Sequence, residues 1–240
     1  MLAHTKTKIL LLDDDEPFLD VLSFFIHEQL KENVIIKPFL NSSDCISFIQ
    51  ENCYSPDTVS EILNSFYRGP INQLCAAQTL KELSELSAVL VLDQELKEEH
   101  TNGINLSYKI REYFPSSYIC MLTSTIPDNL AIDLHNNHSI DLFIDKKNPL
   151  AFERLYSYLL QYIHSKNDEY SIDPVDIFQD VGILEDETYI NLKNELLNVT
   201  NYIAFITLNN AGELIIMKEN RAIDCWRYDP KKQRFYTYEL

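Results

Sequence analysis

The sequence predicts a doubly wound α/β domain followed by a small α+β domain, and three observations carry that prediction. Short unbroken apolar runs alternate with segments of helical apolar spacing over roughly the first 165 residues. Each of those runs leads into charged or hydroxyl residues or a turn signal. Beyond residue 174 the alternation stops, and strand-like runs follow one another with only turn signals between them. A short continuous apolar run suits a strand covered by helices on both faces, as in a parallel sheet. Strands alternating with helical patterns give βαβ units.

The first strand is Lys8-Ile9-Leu10-Leu11-Leu12, which ends in Asp13-Asp14-Asp15-Glu16. Pro17 is placed for the first turn of a helix, and Phe18, Leu19, Val21, Leu22, Phe25 and Ile26 continue it with one apolar face. Carboxylates crowded into that loop repel one another unless a cation is shared among them; a solvated acidic helix start is the plain alternative. Val34 to Leu40 reads as the next strand, and Pro38 assigns it to an edge, because a central strand would need that N–H. Asn41-Ser42-Ser43-Asp44 offers a cap for a helix carrying Cys45, Ile46, Phe48 and Ile49. Residues 53–87 exceed what a βαβ connection needs and hold two helical patterns, about 58–66 and 71–86, broken at Arg68-Gly69-Pro70. They read as a helical insertion on the periphery of the sheet.

Ala88-Val89-Leu90-Val91-Leu92 is the third strand and runs straight into Asp93. A helix through Ile104, Leu106, Ile110 and Tyr113 follows, then the strand Tyr118–Leu122 ending in Thr123-Ser124. Pro127 opens a helix with Leu130, Ile132 and Leu134; the fifth strand, Asp141–Ile144, ends in Asp145-Lys146-Lys147. A last helix runs from Pro149 to about His164. The expected organisation is a domain over 1–165, a polar linker over 166–174, and a second domain over 175–240. The second contains a helix over 185–199 and strands at 202–208, 213–218, 222–228 and 234–238. Asn209-Asn210-Ala211-Gly212, Glu219-Asn220 and Asp229-Pro230 mark the turns of an antiparallel meander.

Composition excludes several functions. A formal net charge of -17 repels nucleic-acid phosphates. Five scattered cysteines, with no C-x-x-C pair, read as reduced thiols rather than a disulfide framework or zinc site. No signal-peptide segment and no apolar run of membrane-span length occurs, so the expectation is a soluble cytoplasmic protein with no membrane association.

In a parallel sheet the strand ends Asp13-Asp14, Asp93, Thr123 and Lys146 lie on one edge, where open α/β folds place their chemistry. These residue types suit phosphoryl transfer, which needs an aligned nucleophile and charge neutralisation more than covalent help. A carboxylate is the nucleophile, a hard cation held by the other carboxylates neutralises the phosphoryl group, and a hydroxyl and an ammonium bind its remaining oxygens. An acid that merely ends a strand is the plain reading of Asp93 taken alone.

The segments Ile-Leu-Leu-Leu-Asp-Asp-Asp (9–15), Val-Leu-Val-Leu-Asp (89–93), Met-Leu-Thr-Ser (121–124) and Phe-Ile-Asp-Lys (143–146) resemble the receiver domain of two-component response regulators. The resemblance spans Lys8 to His164. It implies a flavodoxin-like five-stranded parallel sheet of order 2-1-3-4-5, here with a helical insertion. It further implies phosphorylation of Asp93 by a histidine kinase or phosphotransfer protein. Mg²⁺ would be held by Asp14, Asp93 and the backbone carbonyl of Glu95, with Asp13 acting through water. Thr123 and Lys146 would bind the phosphoryl group, and Thr123 with Phe143 would form the switch; plain core packing is the alternative for Phe143. Such a protein is a signalling switch rather than an enzyme. Two departures stand out: Lys147 replaces the proline usual after the lysine, and Leu96-Lys97 replaces a Met-Pro pair.

The tail from Ser171 carries twelve acidic against seven basic residues and is β-rich, which speaks against a DNA-binding helical output. Its aromatics, Trp226 with Tyr202, Phe205, Tyr228, Phe235 and Tyr236, read as the core of one small sheet, with an aromatic binding face as the alternative, and its strand edges suggest pairing with a downstream protein or a second copy. A reading of different class is an aspartate-nucleophile phosphatase of the haloacid-dehalogenase type, with Asp13 and Asp15 as its D-x-D pair followed by Thr123 and Lys146. It leaves Asp93 idle.

Overall fold

The computed structural model describes residues 3–31, 34–52, 59–69, 73–84, 89–97, 102–114, 117–124, 137–169, 178 and 180–238. It contains two five-stranded sheets. The parallel one is built from β2 (Thr7–Leu12), β3 (Val34–Phe39), β4 (Val89–Leu92), β5 (Tyr118–Thr123) and β6 (Leu142–Asp145), in the order β3-β2-β4-β5-β6. Counted within that sheet, the order is 2-1-3-4-5, the flavodoxin-like arrangement. β3 is an edge strand, as Pro38 requires: its residues pair only with β2.

Side chains of successive strand residues point to opposite faces, so unbroken apolar strands feed two cores at once. Ile9, Leu11, Val89, Val91, Cys120, Leu122 and Ile144 form one face, under α1 (Glu16–Leu30) and α6 (Ala151–Glu169). Leu10, Leu12, Leu90, Leu92, Ile119 and Met121 form the other, under α2 (Ser42–Asn52) and α5 (Gly103–Tyr113). Helix α1 starts where Asp15 accepts a hydrogen bond from Phe18 N at 3.2 Å, with Pro17 in the first turn. Helix α6 continues to Glu169, beyond the end expected near His164, so residues 166–169 are helical rather than linker. The expected linker residues 170–174 and the expected helix after Pro127 lie outside the described residues.

The antiparallel sheet has the order β1-β7-β8-β9-β10, where β1 is Ala3–Thr5, β7 Tyr202–Thr207, β8 Leu214–Lys218, β9 Ile223–Asp229 and β10 Arg234–Tyr238. The four-stranded meander is as the turn signals predict. Gly212 takes φ 76°, and a Cβ there would sit 2.6 Å from Tyr189 Cε2, so both the backbone and the space demand glycine. Helix α7 (Glu187–Val199), capped by Asp186, packs Leu196 and Leu197 against Phe205, Leu214 and Ile216.

Two features of this sheet depart from expectation. Its first strand, β1, comes from the extreme N-terminus and pairs antiparallel with β7, placing His4 opposite Phe205. The helices of the 53–87 segment, α3 (Val59–Arg68) and α4 (Gln73–Ser84), belong to the compact unit of the antiparallel sheet. Helix α4 packs on β7, β8 and β1, and Tyr67 donates its hydroxyl to the Thr207 carbonyl at 2.9 Å. The chain accordingly divides into one compact unit of Thr7–Ser55 with Glu85–Ile163, and another of Met1–Lys6, Pro56–Ser84 and His164–Leu240. Apolar periodicity reports that a helix has a face to bury, not which core receives it.

Candidate functional site

The parallel register aligns the carboxyl ends of the strands. Asp93 N donates to the Leu12 carbonyl at 2.8 Å, Asp13 N to the Phe39 carbonyl at 3.2 Å and Lys146 N to the Thr123 carbonyl at 3.0 Å. The residues just past β2, β4 and β6 are thereby fixed against neighbouring strands, and their side chains converge. One oxygen from each of Asp13, Asp14 and Asp93 lies within 4.8 Å of the others. Lys146 Nζ sits 2.5 Å from Asp13 Oδ2 and 2.9 Å from Asp93 Oδ2, and 4.5 Å from the centre of the Phe18 ring.

Burial sets the electrostatics. Asp13 and Asp93 are buried at 4% and 8% exposure, and Lys146 is largely enclosed. Burial raises the Asp13 carboxyl above its ordinary range, opposed by the hydrogen bonds from Lys146 and from Asp15 N, which reaches Asp13 Oδ1 at 3.0 Å. Asp93 Oδ1 and Thr123 Oγ1 are among the buried side-chain polar atoms that have no hydrogen-bond partner among the described residues. Buried oxygens are ordinarily hydrogen-bonded, and orphans at one sheet edge mark a place where something else binds. Three carboxylates form a hard-oxygen donor set suited to Mg²⁺ rather than to a softer ion.

The structure brings together Asp13, Asp14, Asp93 and Lys146 as the strand ends predict. Thr123 is buried at the end of β5. Glu95 is exposed in the loop after Asp93. Phe143 is half-buried on β6 and borders a recess of ≈ 440 Å³ that Leu150, Arg154 and Tyr158 also line. Asp15 is occupied as the helix cap.

Two residues near the site were given no site role from sequence. Lys97 donates its main-chain N–H to Asp14 Oδ2 at 3.0 Å, and its ammonium lies 3.2 Å from the same oxygen. Gly103, the first residue of α5, approaches the backbone of Asp93 so closely that a Cβ would fall 2.0 Å from the Asp93 carbonyl oxygen. Its N–H donates to Gln94 O at 3.0 Å. The signal for Gly103 was available, since a glycine opening a helix after an Asn cap invites a close-approach reading. Lys97 carries no such signal, because nothing local says which carboxylate an exposed lysine will reach.

No protein-family model matches the chain, and no curated protein matches it. Among solved structures it is similar to the Legionella pneumophila response regulator LqsR, at 18% identity and TM-score 0.49, over 97% of this chain and 68% of that one. It is similar to a CheY-like response regulator receiver domain protein from Methanospirillum hungatei JF-1, at 14% identity and TM-score 0.47, over 69% and 99%. A third is DrrB, an OmpR/PhoB homologue of Thermotoga maritima, at 18% identity and TM-score 0.43, over 67% and 54%. The chain thus spans about half the length of DrrB. At these values the likeness carries no assignment.

Proposed function

We propose that this chain is a response regulator whose parallel-sheet unit is a receiver, with Asp93 as its phosphate acceptor. The observation that carries the reading is the convergence of three carboxylates and one ammonium from separate strand ends, with Asp93 Oδ1 buried and unpartnered. A phosphohistidine of a histidine kinase or phosphotransfer protein is the donor. An Asp93 oxygen attacks phosphorus, the P–N bond breaks, and its electron pair leaves with the imidazole. Asp13, Asp14, Asp93 and the main-chain carbonyl of Glu95 would hold Mg²⁺, which supplies neutralisation of the phosphoryl charge. Lys146 moves from carboxylate to phosphoryl oxygen, and the orphaned Thr123 hydroxyl gains an acceptor it lacks in this state. Phe143, beside a recess large enough to take a displaced ring, is the switch residue. The antiparallel unit is the output, acting through contacts with a downstream protein or a second copy rather than nucleic acid.

The phosphatase reading is disfavoured because it leaves Asp93, paired with Lys146 in the same cluster, without a role. Acetyl phosphate with Mg²⁺, read by peptide mass spectrometry after borohydride trapping, separates the two. Label on Asp93, lost in Asp93→Asn, is expected; label on Asp13 would establish the phosphatase instead.

A further inference from the structure

We propose that Lys97 is a displaceable cationic plug on Asp14, which sets how much divalent cation the acidic site requires. The inference rests on the receiver reading above and adds a residue that the residue set above does not contain. Two ammoniums divide the three carboxylates between them. Lys146 takes Asp13 and Asp93 from within, and Lys97 takes Asp14 from without.

The two lysines differ in kind. The Lys146 side chain is 15% exposed, whereas that of Lys97 is 81% exposed and leans onto an Asp14 carboxylate that is itself 17% exposed. Asp14 is thus the most open of the three acids, the one a cation from solvent meets first. Its Oδ2 is already engaged twice, by the main-chain N–H and the ammonium of Lys97, and the ammonium also lies 3.5 Å from the Asp14 carbonyl oxygen. A solvated ion pair of this sort adds little to stability. Its consequence falls on binding: a divalent ion must displace the ammonium from Asp14 and then work against it nearby. A unit positive charge about 5 Å from a divalent one, in water at physiological ionic strength, weakens binding about three- to tenfold. The main-chain N–H stays on Asp14 whatever side chain follows it, so loop position and plug charge are separable.

The test is isothermal titration calorimetry of the full chain with MgCl₂, using Asp14→Asn as the baseline for nonspecific uptake by an acidic protein. Lys97→Met and Lys97→Gln are expected to tighten Mg²⁺ binding about three- to tenfold, with Lys97→Arg close to the parent. Lys147→Met, which removes a charge of the same sign two residues beyond Asp145, is the control and is expected to change affinity less than twofold. Unchanged affinity in both neutral Lys97 variants, with Asp14-dependent binding intact, overturns the plug and leaves the receiver reading standing. Equal tightening by Lys147→Met also overturns it, since net charge would then suffice. Absence of Asp14-dependent binding in the parent and in both variants removes the receiver reading itself.

Discussion

Lys146→Met removes the ammonium on which two buried carboxylates depend, and the structure sets the size of the effect. At an effective dielectric near 20, contacts of 2.5 and 2.9 Å to Asp13 and Asp93 are each worth about 6 kcal/mol of gross attraction. Returning the ammonium to water recovers several kcal/mol of that sum, and methionine also gives up the cation–π contact with Phe18. What remains is the cost of two uncompensated acids, 4% and 8% exposed, or about 3–5 kcal/mol at pH 7. Urea unfolding followed by far-ultraviolet circular dichroism measures it. If Mg²⁺ binds the same oxygens as proposed, millimolar MgCl₂ is expected to return most of the loss in the variant and to stabilise the parent less. A loss below about 1 kcal/mol, or one that Mg²⁺ leaves untouched, would refute the claim that these acids share one electrostatic site.

Three further outcomes follow from the same coordinates. Gly103→Ala would drive a methyl group into the Asp93 carbonyl; a loss of about 1–3 kcal/mol and at least a tenfold slower labelling by acetyl phosphate are expected, read by unfolding and by mass spectrometry. Lys193 of α7 is 9% exposed, its ammonium 5.7 Å from the ring centres of Tyr189 and Phe205, with no carboxylate partner among the described residues. Burial lowers its pKa, so the native state binds fewer protons than the unfolded one. Stability from this group therefore rises with pH between the lowered native value and 10.5. Lys193→Met should flatten that rise and add about 1–3 kcal/mol at pH 7, followed through Trp226 fluorescence; destabilisation would mean that the cation–π contacts outweigh desolvation. A chain cut after residue 165 loses β7 and β8, which leaves β1 unpaired and bares Ala76, Leu80 and Leu83 of α4. Hydrogen exchange should show residues 59–84 unprotected in that fragment while β2 and β4 stay protected.

The two units are joined by short stretches of chain. Only Lys6 separates β1 of the antiparallel sheet from β2, which leads into Asp13 and Asp14. Helix α4, packed on the antiparallel sheet, precedes β4, which leads into Asp93. Both acid-bearing strands thus follow directly on elements of the unit proposed as output.

Sequence patterning alone determined the strands of the parallel sheet and the residues that follow them, whereas the strand order came only from the family resemblance. The reason is local: four to six apolar residues with no polar face can only be a strand buried on both sides, and whatever follows such a strand lies at one end of the sheet. Val89–Leu92 with Asp93, and Lys8–Leu12 with Asp13, needed nothing further. Pro38 likewise assigned its own strand to an edge by lacking an N–H. Tertiary structure alone decided which core the 53–87 helices join, that β1 completes the other sheet, and that Lys97 reaches Asp14. Those are pairings between distant surfaces of similar chemistry. A three-residue strand, an amphipathic helix and an exposed lysine each have several acceptable partners, and only the folded chain selects among them.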